Sequence, residues 1–217
     1  MSDQFLGQLY QVIVLIFLVI VHEVSHGLMA YRLGDNTAKE MGRLTLNPIK
    51  HLELFGSFLV PLFFIITKSS FILGWAKPVP FNPYNLKNPK RDGALIALAG
   101  PVSNFLIAIV FGLVVRSMAA FMPIASNPVL YNVYSLLNIV VFVSVLLACF
   151  NLIPIPPFDG SRIVFAFLSG RAEIFWLKIE QYGTLLIILL LFGGMLNFLS
   201  PLVVSIYQLI VGPVVAL

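Results

Sequence analysis

The sequence predicts an all-α polytopic membrane protein, with about five full transmembrane helices plus one re-entrant segment drawn from six apolar runs. Composition is the first ground for this. Of 217 residues, 59% are hydrophobic and 10% are charged, where a soluble domain has roughly 25% charged residues. Mean hydropathy is +0.99. The second ground is the length of the apolar runs, because a helix needs ~20 residues to cross a bilayer. Backbone groups inside a bilayer must also bond within their own segment, which makes such runs helical. The third ground is the placement of the basic residues, which sorts the runs that cross from the one that does not.

The runs fall at about 6–31, 52–67, 94–122, 131–150, 183–198 and 201–217. The second has 16 residues, with Gly56 and Pro61 inside it, and is followed by Lys68-Ser69-Ser70 and a short apolar piece, Phe71 to Trp75. If it crosses, five Lys and Arg lie on one side and eight on the other. If it enters and returns, all but Arg116 of the 13 lie on one side. Cytoplasmic loops collect Lys and Arg, so the run reads as re-entrant. The protein is then a multi-pass protein of the cell membrane with its basic loops in the cytoplasm and its N-terminus outside. Irregular backbone at membrane depth is tolerated where protein buries it or where it lines a cavity. Met1-Ser2-Asp3-Gln4 lacks the basic region of a cleavable signal, so the first span is expected to stay in the mature protein. Residues 1–217 read as a single integral membrane domain, with a core at 10–165 and a C-terminal helical scaffold at 166–217.

The first run leads directly into His22-Glu23-Val24-Ser25-His26. On a helix, positions i and i+4 share a face, so the two histidines can grip one metal ion together. Glu23 then stands beside that metal as a general base. Two imidazoles and a carboxylate within a bilayer helix are costly and call for a function. The bland reading, two core histidines, leaves the ligand spacing unexplained.

The fourth run ends in Phe150-Asn151-Leu152-Ile153-Pro154-Ile155-Pro156-Pro157-Phe158-Asp159-Gly160. Its prolines must break the helix, and broken helices at membrane depth commonly build ligand sites. Asp159 just past the break completes a zinc site of two imidazoles and one carboxylate, with one position open for water. Re-entry of the second run brings the ends of the first and fourth helices out on the same side, which puts the metal site between them. Gly160 is read as permitting a tight turn. Asn151 is a candidate to bond substrate or the backbone freed by the break. The third run opens with Gly100-Pro101-Val102-Ser103-Asn104. Its small residues allow close helix contact, and the Asn104 amide suits a peptide carbonyl, an oxyanion or an interhelical hydrogen bond.

Other classes are weakened by composition. The net charge of +4 comes from scattered residues without the dense patch of a nucleic-acid binder, so no nucleic-acid partner is expected. Cys149 is the only cysteine, which excludes an intrachain disulfide and a cysteine metal cluster. A small metal or proton transporter remains as a rival class, since it too explains buried polar groups and broken helices. It does not explain Glu23 between two histidines at ligand spacing. Another alternative is an inactive homologue acting as a binding partner.

Five elements resemble the site-2 protease family of intramembrane zinc metalloproteases, in its compact prokaryotic branch without PDZ or CBS domains. They are His22 to Gly27, Gly42 to Pro48 with His51, Gly74 to Pro80, Gly100 to Asn104, and Asn151 to Gly160. The resemblance covers roughly residues 10 to 165. It implies Zn2+ held by His22, His26 and Asp159, with Glu23 as base and Asn104 and Asn151 holding substrate. It implies regulated intramembrane proteolysis, with transmembrane protein substrates in the lipid bilayer as partners and room for a regulatory membrane partner. The charge-based topology puts access to the active site on the cytoplasmic side. His51 is read as a structural hydrogen-bonding residue at the mouth of the re-entrant segment. Residues 172–182 read as an amphipathic interfacial helix, and the last two runs as scaffold or as a gate for substrate.

Overall fold

The computed structural model describes residues 2–67, 76–183, 185, 186, 189 and 194–212, and among them every regular element is helical. Helix α1, Ser2–Arg32, carries an apolar stretch, Leu9–Arg32, long enough to cross a membrane. It runs unbroken through both histidines and stops where Gly34 takes a left-handed φ of 108°. Asp35, fully buried, fixes the exit by accepting from the Thr37 N–H and hydroxyl, the Asn85 amide and the Asn82 N–H. Burial pushes the Asp35 carboxyl up, but these hydrogen bonds to the ionised form outweigh it and hold the group below its ordinary value. The short helix α2, Thr37–Glu40, and the chain near residue 82 are thereby tied to one end of α1.

The second run forms a half-length element. A π-helical turn, Phe55–Leu59, continues into α3, Val60–Ile66. Together they rise only ~18 Å, against a hydrocarbon core of ~30 Å. The Lys77 N–H donates to the His51 carbonyl at 2.8 Å, so the chain that leaves at His51 is back beside it by Lys77. His51 is buried, and its ring Nε2 donates to the Thr45 carbonyl at 2.8 Å, the structural part read for it. The second apolar piece, Phe71 to Trp75, lies outside the described residues. From Ala76 to Asn82 the chain has no helical structure and runs back past α1.

Helices α4, Pro89–Phe121, and α5, Pro128–Asn151, each begin with proline at the first position, where a missing N–H is harmless. Side chains take the free amides there: Asp92 accepts from the Asn88 N–H, and Asn127 from the Val129 and Leu130 N–H groups. With α1, these are the three helices among the described residues that are long and apolar enough to cross a membrane. Beyond α5, Pro154, Pro156 and Pro157 prevent further helix, and the Pro156–Pro157 peptide is cis. Helix resumes as α6, Asp159–Phe165, then α7, Arg171–Glu180. A Lys90–Glu173 ion pair at 2.6 Å links α7 to the start of α4. α7 leaves Ile174, Phe175 and Leu177 exposed, as an interfacial helix does.

The last element departs from the expected run boundary. α8, Met195–Val211, starts after Gly194, whose φ is +79°, and passes through Pro201 without a break. One missing N–H is tolerated in membrane helices, so Pro201 does not interrupt α8. Much of the fifth run lies outside the described residues. Val203 and Val211 of α8 pack with Ala108 and Val115 of α4 and Val141, Val145 and Cys149 of α5. The Tyr207 hydroxyl donates to Asn138 Oδ1 on α5. The C-terminal helix thus shares one core with the two long helices, and Cys149 is a buried apolar residue within it.

Candidate metal centre

The site is assembled from α1, α4 and the first residue of α6. His22 and His26 sit one turn apart on α1, with ring centroids 4.6 Å apart and planes nearly perpendicular. At Gly100 the backbone of α4 lies directly against both rings: a Cβ there would be 2.5 Å from His26 Nε2 and 2.6 Å from His22 Nε2. The start of α6 brings Asp159 Oδ2 to 3.0 Å from His22 Nε2 and 3.3 Å from His26 Nε2. These three residues form the one metal-competent group of His, Cys, Asp or Glu found among the described residues. A tetrahedral ion bound at ~2.05 Å holds its donors ~3.3 Å apart. The two nitrogen–oxygen separations fit that edge.

Each ring is held from behind. His26 Nδ1 donates to the Ile96 carbonyl at 2.6 Å, which leaves Nε2 with a lone pair facing the site. His22 Nδ1 lies 3.2 Å from the Asn104 side-chain amide, which is fully buried; the other polar atom of that amide has no protein partner. Gly160 packs hard behind Asp159: a Cβ there would overlap the Leu152 carbonyl oxygen and lie 2.5 Å from that of Ile153.

Glu23, next to His22, accepts the Val79 N–H on Oε2 at 2.8 Å. Segment 76–82 reaches α1 this closely because Gly27 has no side chain; a Cβ there would lie 2.6 Å from Leu44 Cδ2 and 2.7 Å from Val79 Cγ1. Asn151 turns back on its own helix, donating to the Leu147 carbonyl at 2.9 Å. Of the residues singled out in the sequence, His22, His26, Asp159 and Asn104 meet in one place and Glu23 adjoins them. Asn151 bonds its own backbone. Sequence reasoning missed the contact of Gly100 with both imidazoles and the Val79 N–H bonded to Glu23. A small residue in α4 was legible; its apposition to the two rings was not.

This is a pocket of two imidazoles and a carboxylate in a helical membrane protein. The chain belongs to Peptidase family M50, the site-2 protease family, whose profile matches residues 10–194. It is 37% identical to YwhC of Bacillus subtilis over 201 residues, 89% of this chain and 81% of that protein. It is 28% identical to Rip2 of Mycolicibacterium smegmatis over 177 residues, 82% of this chain and 64% of that protein. Against MJ0392 of Methanocaldococcus jannaschii it is 36% identical over 126 residues, 56% of this chain and 34% of that protein. All three relatives are named as zinc metalloproteases. No solved structure gives a significant match.

Proposed function

We propose that the chain is a zinc metalloprotease of the site-2 type that hydrolyses peptide bonds in or beside transmembrane segments of other membrane proteins. The observation that carries this is the approach of Asp159 Oδ2 to both His22 Nε2 and His26 Nε2, with Glu23 next in sequence to the first ligand. The donor set and its spacing fit zinc, and His22, His26 and Asp159 would hold it. Bound zinc supplies Lewis-acid polarisation of the scissile carbonyl and acidifies the attacking water. Glu23 keeps one oxygen on the Val79 N–H and has Oε1 left to take the proton from water and deliver it to the leaving amine. His22 ligates through Nε2 only with its proton on Nδ1. Asn104 then presents its oxygen to that proton and turns its two N–H donors toward a peptide carbonyl or oxyanion, since the amide's two ends exchange by rotation. Asn151 can serve substrate through its Oδ1 and second Nδ2 hydrogen while the first holds the Leu147 carbonyl.

The deciding experiment is Glu23→Gln. Zinc content should stay near that of the wild type, and cleavage of a single-span membrane substrate should fall ~10²–10⁴-fold. Loss of zinc, or retained cleavage, would remove Glu23 from the role of base.

The re-entrant reading of residues 52–73 is supported by the short helix at 55–66 and by the Lys77–His51 hydrogen bond. With it go the cytoplasmic basic loops, the external N-terminus and water access from the cytoplasm. Single cysteines replacing Lys50 and Lys77 should both react with an impermeant thiol reagent from the cytoplasmic face. Reaction from opposite faces would make the segment a crossing helix.

A further inference from the structure

Arg43, in the loop after α2, is buried although its side chain is charged. Among the described residues no carboxylate pairs with it, and its Nε has no hydrogen-bond partner. Burying a guanidinium this way is costly unless its hydrogen bonds perform a task. Its Nη2 donates to two consecutive carbonyls, Lys77 at 2.8 Å and Pro78 at 3.3 Å. The next residue is Val79, whose N–H lies on Glu23 Oε2. Prolines at 78 and 80 have no N–H, so Val79 is the only donor between Lys77 and Phe81. The Lys77 N–H is already engaged by the His51 carbonyl. Leu44, adjoining Arg43, and Val79 both press on Gly27, one turn beyond Glu23 on α1. The loop, the extended segment and α1 therefore meet at one point, and the Glu23 carboxylate is there.

We propose that Arg43 is a positioning residue for Glu23: it clamps the backbone of residues 77 and 78 so that the Val79 N–H fixes one carboxylate oxygen and leaves the other to act. Arg43 touches neither the three ligands nor the reacting atoms. Both bonds come from one nitrogen, Nη2, whose two N–H groups the rigid guanidinium plane holds in fixed directions, where a lysine ammonium rotates freely. The inference rests on Glu23 as base.

The test uses the full chain in detergent, with a tagged single-span substrate that the wild type cleaves. Arg43→Ala should retain zinc and hold KM within about threefold. Its kcat should drop ~10²-fold, the scale of a misplacement near 1 Å. Guanidinium chloride at millimolar concentration should restore part of that kcat, and amide exchange across residues 76–82 should quicken. Val79→Pro removes the N–H while leaving Arg43 intact, so it should lower kcat similarly and gain nothing from guanidinium. Arg43→Lys carries the same measurements if Arg43→Ala does not accumulate, with kcat again reduced and zinc kept. Wild-type kcat in the Arg43 variants, or a defect confined to KM or zinc content, overturns the positioning role. If these variants behave as wild type while Glu23→Gln is dead, the clamp fails and the base survives. Should Glu23→Gln itself cleave, the base reading is what fails.

Discussion

Gly100→Ala is expected to empty the metal site. The added methyl would stand 2.5 Å from His26 Nε2 and 2.6 Å from His22 Nε2, on the very atoms that face Asp159. Neither ring has freedom to retreat. His26 is tied through Nδ1 to the Ile96 carbonyl, and His22 through Nδ1 to Asn104. Moving either ring breaks the bond that sets its tautomer, so the substitution strikes ligand position and ligand chemistry at once. Outer partners of metal ligands are each worth ~10–100-fold in affinity, and two rings are displaced here, so zinc affinity should fall by about 100-fold or more. Alanine is the better helix former by ~1 kcal/mol, so α4 itself should not suffer. Gly93→Ala, in the same helix with open space at its Cβ, is the control and should keep zinc and activity. Metal content after purification and chelator competition read the outcome. Full zinc in Gly100→Ala would mean that the two Nε2 atoms do not converge on this face of α4.

The parts legible in the sequence were those set by local chemistry. A continuous apolar run must be helical in a bilayer, and the first, third and fourth runs became α1, α4 and α5. The i, i+4 histidine pair and a carboxylate after a proline break were read as a metal site from local pattern, and the fold brings ligand atoms of His22, His26 and Asp159 within 4.8 Å of one another. Where tertiary contact decides, the sequence was silent or misleading. The gap between the fifth and sixth runs, at 199–200, falls inside α8, which starts after Gly194 and passes Pro201 because a missing N–H in an apolar setting does not break a helix. Asn104 and Asn151 looked alike as membrane amides. One lies on a histidine ring and the other on its own backbone, a difference the sequence pattern does not carry. Arg43 lay within an element that resembled the family, yet no pattern of spacing connects residue 43 through 77 and 78 to Glu23. That connection exists only because the chain after the second run returns to its starting point.

Gly160→Ala is expected to do comparable damage by a different route. In the sequence, Gly160 reads as a residue that grants a turn. In the structure it sits in the first turn of α6 and is required for space. Its missing side chain lets α6 begin against the loop leaving α5, where a Cβ would overlap the Leu152 carbonyl oxygen and crowd that of Ile153. Both obstacles are backbone, fixed by the Leu152 N–H bond to the Ala148 carbonyl and the Ile153 N–H bond to the Phe150 carbonyl. A flexible side chain would swing aside, whereas this loop has to shift as a unit. Overpacking of this kind costs about 1–3 kcal/mol, and the strain falls on the residue bonded to Asp159. A carboxylate that sits 3.0 and 3.3 Å from its two partners has little room to follow. Zinc should therefore be lost along with proteolysis, and thermal unfolding of the metal-free protein should occur at a lower temperature than in the wild type. Gly100→Ala should also lower metal-free stability, because rings pushed aside give up their bonds to the Ile96 carbonyl and Asn104. A Gly160→Ala protein that melts normally and keeps its zinc would show that Asp159 does not depend on the packing of α6 against residues 152 and 153.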